Sequence, residues 1–177
     1  MLCVVFGFER AFEFEALIVA HAIFEGVGGD GIGGAQVGGG VASLAIEVGG
    51  EAWEAELVGA FYRLSKVEER LREDPVAASA DFEERNRDFH RALIGACPSP
   101  WLHRLYALLY QQSERYRRMV VSRRTIPRDV HVEHQGILDA TLARNADLAC
   151  QLTGEHIERS VKALEKLFEA REKYTST

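Results

Sequence analysis

Three histidines occupy positions where the helical periodicity of the chain otherwise places apolar residues. His90 follows Phe89 and precedes Leu93, His134 lies one turn after Val130 and one before Leu138, and His156 lies one turn after Leu152. Each falls on a different expected helix. A neutral imidazole is the commonest protein metal ligand, and ligands converging from facing helices are a standard way to build a metal site in a bundle core. Zinc takes such nitrogens at about 2.0–2.1 Å. Asn86 stands four residues before His90, so both project from one helix face. A single histidine on an apolar stripe is more often a hydrogen-bonded core residue than a ligand. On spacing alone that alternative stays open beside a shared divalent ion. His103 and His131 fall beside the stripes and are expected at the surface. His21 lies in an N-terminal segment of different character.

The elements that would position these residues are helices. Glu51 to Arg72 carries Trp53, Leu57, Ala60, Phe61, Leu64 and Val67 at helical spacing. Asp74-Pro75 should end it. A second helix is expected from Ser79 to Ala96, capped by Ser79 or Asp81, with Phe82, Phe89, Leu93 and Ile94 inward. Cys97-Pro-Ser-Pro100 is a breaker with a cap at Ser99. Trp101 to about Ser122 follows, with Leu102, Leu105, Tyr106, Leu109, Tyr116 and Met119 on one face. Pro127 suits the first turn of a helix reaching about Arg144, with Val130, Ile137, Leu138 and Leu142 inward. The last helix is expected from Asn145 to about Lys173 through Leu148, Leu152, Ile157, Val161, Leu164 and Leu167. Together these predict an all-α, antiparallel helical bundle with short connections. The Arg and Glu runs near 68–73 and 114–118 read as solvated faces.

Residues 1–40 do not share this grammar. Nine of the fifteen residues from Gly26 to Gly40 are glycine, too costly in backbone entropy for a helix, so the run reads as a linker. It contains Gly29-x-Gly31-x-x-Gly34, but that fingerprint binds dinucleotides only within a βαβ unit, and no alternating strand pattern follows. The whole chain has 177 residues, enough for one domain with a sizeable core. Its net charge of −6 disfavours phosphate neutralisation, so this chain is a poor DNA binder by itself. Cys3, Cys97 and Cys150 are widely spaced and odd in number, as in reduced cytoplasmic proteins. No run approaches the ~20 apolar residues of a membrane span, and Met1 to Phe8 lacks the basic flank of a signal peptide.

Several segments, in order, carry a resemblance. Asn86-Arg-Asp-Phe-His90-Arg-Ala-Leu, the turn Pro98-Ser-Pro-Trp-Leu, Glu133-His134-Gln-Gly-Ile-Leu-Asp-Ala, Ala143-Arg-Asn-Ala-Asp-Leu-Ala-Cys150 and Glu155-His156-Ile-Glu resemble the C-terminal ligand-binding (FCD) domain of GntR-type transcription regulators of the FadR subfamily. Trp53-Glu-Ala-Glu-Leu-Val with Arg63-Leu-Ser-Lys66 resembles its carbon-starvation-induced branch. The resemblance implies a helical domain over 41–174 that holds a divalent ion, zinc or nickel, through Asn86, His90, His134 and His156. A small carboxylate metabolite would complete the coordination. Many members have aspartate where this chain has Asn86, and an amide oxygen is a weaker donor. For the carboxylate, a bidentate guanidinium is expected; Arg115, beside Tyr116 and one turn after Gln112, is named with Gln112 as effector-binding, and Arg117 and Arg118 as solvated.

The resemblance also implies DNA binding through a winged helix-turn-helix domain, which nothing in this chain resembles, and a homodimer. Residues 1–40 are the atypical segment, and Val41 to Glu47 matches the domain's usual first helix only in part. The leading expectation is an effector sensor rather than an enzyme, acting in the cytoplasm. Two alternatives stand beside it: a metal-dependent hydrolase-like enzyme, and a structural helical bundle without ligand. Glu133 and Glu155, each adjoining a histidine, are expected to face away from the ligands, which argues against the enzyme.

Overall fold

Asp74 and Pro75 join the first long helix to the second with no intervening loop. The Asp74 carboxylate accepts hydrogen bonds from the backbone N–H groups of Val76 (3.1 Å) and Ala77 (3.0 Å). Pro75 occupies the first helical position, where its missing N–H costs nothing. The helix therefore starts at Pro75, not at Ser79 or Asp81. Ser79 instead donates back to the Val76 carbonyl. The proline that ends one helix is thus also the start of the next.

The computed structural model describes residues 41–123 and 129–175. The glycine-rich run, His21, Cys3 and Pro127 lie outside the described residues, and the helix expected to begin at Pro127 begins instead at Val130, where Asp129 is the cap. Six helices are described: α1 (Val41–Val48), α2 (Glu51–Glu73), α3 (Pro75–Leu93), α4 (Pro100–Arg123), α5 (Val130–Leu142) and α6 (Ala146–Thr175). No strand occurs among the described residues. Caps are chemical: Ser99 Oγ accepts from Leu102 N, Asp129 from Val132 N, and Asn145 Oδ1 from Leu148 N.

Cross-helix pairs fix the directions. Trp53 Nε1 donates to the Ala92 carbonyl at 2.7 Å, and Arg70 meets Asp81 near the other end, so α2 and α3 run antiparallel. Arg72 with Asp129 and Glu68 with His134 set α5 antiparallel to α2. Asn86 with Tyr110 and Glu83 with Arg117 do the same for α3 and α4. The bundle is all-α, as the periodicity predicts. Leu57, Leu64, Phe89, Ile94 and Ile137 are essentially solvent-free at its centre, each worth about 1.5–3 kcal/mol of burial. Leu142 and Leu148, expected inward, are exposed beside the α5–α6 turn. Gly49 is required, since a Cβ there would fall 2.1 Å from the Trp53 ring.

The α5–α6 turn is closed by a residue in the left-handed region. Arg144 has φ 58°, the N–H of Arg144 bonds to Thr141 O, and that of Asn145 to Ala140 O. Arginine there is disfavoured relative to glycine. Its guanidinium offsets the cost: it donates to the Ile46 carbonyl at 2.6 Å, pairs with Glu54 and lies 5.4 Å from the Trp53 ring centre. The turn between the two helices bearing His134 and His156 is thereby clasped to α1 and α2.

Candidate metal centre

His90 on α3, His134 on α5 and His156 on α6 converge inside the bundle. All three are buried, and each offers one ring nitrogen within 4.8 Å of the others. The ring centres of His134 and His156 are 4.6 Å apart, those of His90 and His156 5.2 Å, and those of His90 and His134 5.4 Å. Bonds of about 2.0–2.1 Å to one ion would place such nitrogens about 3–4 Å apart. The cluster needs only a small inward closure to reach that geometry.

Two carboxylates aim the rings. Glu68 on α2 is 2% exposed, and its two oxygens lie 2.6 Å from His134 Nδ1 and 2.7 Å from His131 Nδ1. A carboxylate only accepts, so both Nδ1 atoms donate to it. The tautomer of His134 is then set with its lone pair on Nε2. That Nε2 is buried and has no hydrogen-bond partner. Glu133 Oε2 lies 2.9 Å from His156 Nδ1 and directs the second ring in the same way. Carboxylates behind metal-binding imidazoles commonly fix their orientation and raise their basicity.

Asn86 is buried on the same face of α3 as His90. Its Nδ2 donates to the Tyr110 hydroxyl at 2.6 Å, while its Oδ1 has no partner. Buried polar atoms rarely stay unpaired. Among the described side chains three such atoms are found: Glu83 Oε1, Asn86 Oδ1 and His134 Nε2. With His134 in the tautomer set by Glu68, all three are acceptors. A cation bound between the imidazoles would satisfy His134 Nε2, and the Asn86 amide oxygen is a donor of the kind such an ion takes.

A second polar cluster lies toward the N-terminal end of α3. Glu83 pairs with Arg117 of α4 at 3.1 Å, and both are largely buried. Arg117 also donates to Ser113 Oγ and to the Tyr110 carbonyl, and its guanidinium carbon lies 3.8 Å from the Tyr110 ring centre. Burial pushes the Glu83 carboxyl above the ordinary carboxylate range, against the pull of Arg117.

Several placements differ from the sequence expectations. Arg117 is largely buried rather than solvated, because α4 turns Tyr106, Tyr110, Ser113 and Arg117 inward. Arg118 is half-exposed and pairs with Glu114, as a solvated arginine does. Glu68, assigned to a solvated run, is the most buried member of it: it follows Leu64 by four residues and so continues the inward stripe. Glu133, expected to face away, reaches His156 because it stands four residues before inward-facing Ile137 and borders α6. His131 is half-buried against Phe61, with the rings stacked at 5.7 Å. His103 is half-buried and its Nε2 lies 2.8 Å from the Cys97 carbonyl. Gln112 is exposed, and the Arg115 side chain lies outside the described residues.

The FCD domain family matches residues 35–159 of this chain. The HTH-type transcriptional regulator BphR of Paraburkholderia xenovorans is 43% identical over 116 residues, covering 66% of this chain and 47% of that protein. The HTH-type transcriptional repressor GlaR of Escherichia coli is 32% identical over 120 residues, covering 65% of this chain and 53% of that protein. The chain thus spans about half the length of the curated relatives it matches. No solved structure matches it.

Proposed function

Because the chain belongs to the FCD domain family, we propose that it is the effector-sensing part of a GntR-type transcription regulator of the FadR subfamily, and that it senses through a bound divalent metal. Its homologues are named as HTH-type regulators, which supports a sensor rather than an enzyme. His90, His134, His156 and the Asn86 oxygen would hold the ion. The ion would supply a Lewis-acidic point on which a small carboxylate metabolite can bind. The observation that carries this reading is the trio of buried imidazoles, one with an unpartnered Nε2 and two backed by carboxylates, Glu68 and Glu133. Packing alone gives no reason for three such groups to share one point.

The chain's own residues do the rest. Glu68 and Glu133 hold two imidazoles with their lone pairs directed away from Nδ1. Phe89, in edge contact with both His90 and His134, supplies apolar surface around them. Among the described residues no helix is long and apolar enough to cross a membrane, and a cytoplasmic regulator is the location this reading implies. DNA contact, on this reading, belongs to a winged-helix domain of the full regulator, and homodimerisation is part of the same proposal.

Calorimetric titration with zinc or nickel tests it. Wild-type protein should take up one ion per chain. His134→Ala should lose a ligand and bind at least about tenfold more weakly. Asn86→Asp should bind more tightly, since a charged oxygen is the better partner for a divalent cation. Equal affinity across the three proteins would place the metal elsewhere or nowhere.

A further inference from the structure

The three unpartnered buried acceptors are not equivalent. His134 Nε2 and Asn86 Oδ1 are accounted for by the proposed ion. Glu83 Oε1 is not. Glu83, Asn86 and His90 stand at intervals of three and four residues, so they share one face of α3. Seven residues separate Glu83 from His90, about 10 Å along the helix axis. A short-chain metabolite anchored on the ion by its carboxylate spans a distance of that order.

We infer that Glu83 Oε1 is the recognition group for the far end of the effector, and that the effector is a small carboxylate carrying a hydrogen-bond donor, a hydroxyl or an ammonium, at that end. The inference rests on the metal-and-carboxylate reading above. Its support is the mismatch within the Glu83–Arg117 pair. Glu83 Oε2 takes the guanidinium, while Oε1 is buried with no donor. Arg117 has no nitrogen left over: Nε and Nη2 face Glu83, Nη2 also faces the Tyr110 carbonyl, and Nη1 faces Ser113 Oγ. Its face lies on the Tyr110 ring. A second carboxylate on the effector would meet an already neutralised cation and an orphaned anion oxygen. A donor would meet the carboxylate oxygen of the pair that lacks a partner.

Tyr110 ties this position to the metal end. Its hydroxyl takes the Asn86 amide, its carbonyl takes Arg117, and its ring centre lies 6.5 Å from that of His90. Both ends of the effector would thus be gauged against one α4 side chain.

The test is calorimetry on the zinc-loaded 177-residue chain with matched acids: the unsubstituted, ω-hydroxy, ω-amino and ω-carboxy forms, in a series of about four to six carbons. The ω-hydroxy or ω-amino acid should bind at least about tenfold more tightly than the unsubstituted acid, the worth of one hydrogen bond to a charged acceptor. In Glu83→Gln that advantage should shrink, more for ammonium than for hydroxyl because the charge is gone, while zinc stoichiometry stays at the wild-type value. Tightest binding of the ω-carboxy acid, no preference at all, or a preference unchanged in Glu83→Gln would overturn the inference and leave the effector reading standing. Zinc uptake with no acid bound at any length would overturn the carboxylate reading and this inference with it. If Glu83→Gln does not fold, the wild-type ranking of the four acids decides alone.

Discussion

Glu68 orders two imidazoles with one side chain. Its oxygens accept from His134 at 2.6 Å and His131 at 2.7 Å. Glu68→Gln leaves one carbonyl oxygen for two N–H donors and places an amide N–H against the other ring. Metal affinity should fall about 10–100-fold, while the fold, read by circular dichroism, stays helical. A zinc titration checks this; unchanged affinity would mean that the carboxylate does not tune the site. The histidines themselves are legible in the sequence, because each interrupts an apolar stripe. The carboxylates behind them are harder to see. Glu68 sits in a run of charges, Val67-Glu-Glu-Arg70, whose composition says solvent. Only its spacing from Leu64 says core. Composition misleads there because a buried charge is tolerated when its partners are already buried, and those partners come from another helix.

At the scale of elements, the helices are read well from periodicity and their ends less well. The Asp74-Pro75 pair was legible as a break but not as a cap, since the same two residues signal both. The inward face of α4 keeps Tyr106 of the expected stripe but is turned relative to Leu105, Leu109 and Tyr116, because Ser113 and Arg117 are polar and hide the line that runs on from Tyr106 through Tyr110. The α5–α6 turn gives a sharper test. Arg144 holds a left-handed conformation and clasps Ile46 and Glu54. Arg144→Ala and Arg144→Gly both delete the clasp, but only glycine is free of the left-handed penalty. Alanine should therefore be the more destabilising by about 1 kcal/mol, measured by urea unfolding. Equal loss would mean that the turn carries no such penalty.

For the molecule as a whole, charge argues against DNA contact by this chain. With a net charge of −6 the chain should give no sequence-dependent shift of duplex DNA in a gel assay at moderate salt. A salt-resistant, specific shift would show that it carries a DNA-reading surface of its own. Its family membership and its bundle serve instead to bring α3, α5 and α6 together at one point, while α2 supplies the carboxylate behind His134. The proposed metal is read at its own ligands by X-ray absorption of the zinc-loaded protein. About three imidazole nitrogens at about 2.0–2.1 Å are expected, with the rest of the shell oxygen, and one nitrogen fewer in His134→Ala. A shell of oxygen alone, a sulfur ligand at about 2.3 Å, or a spectrum unchanged by His134→Ala would contradict it.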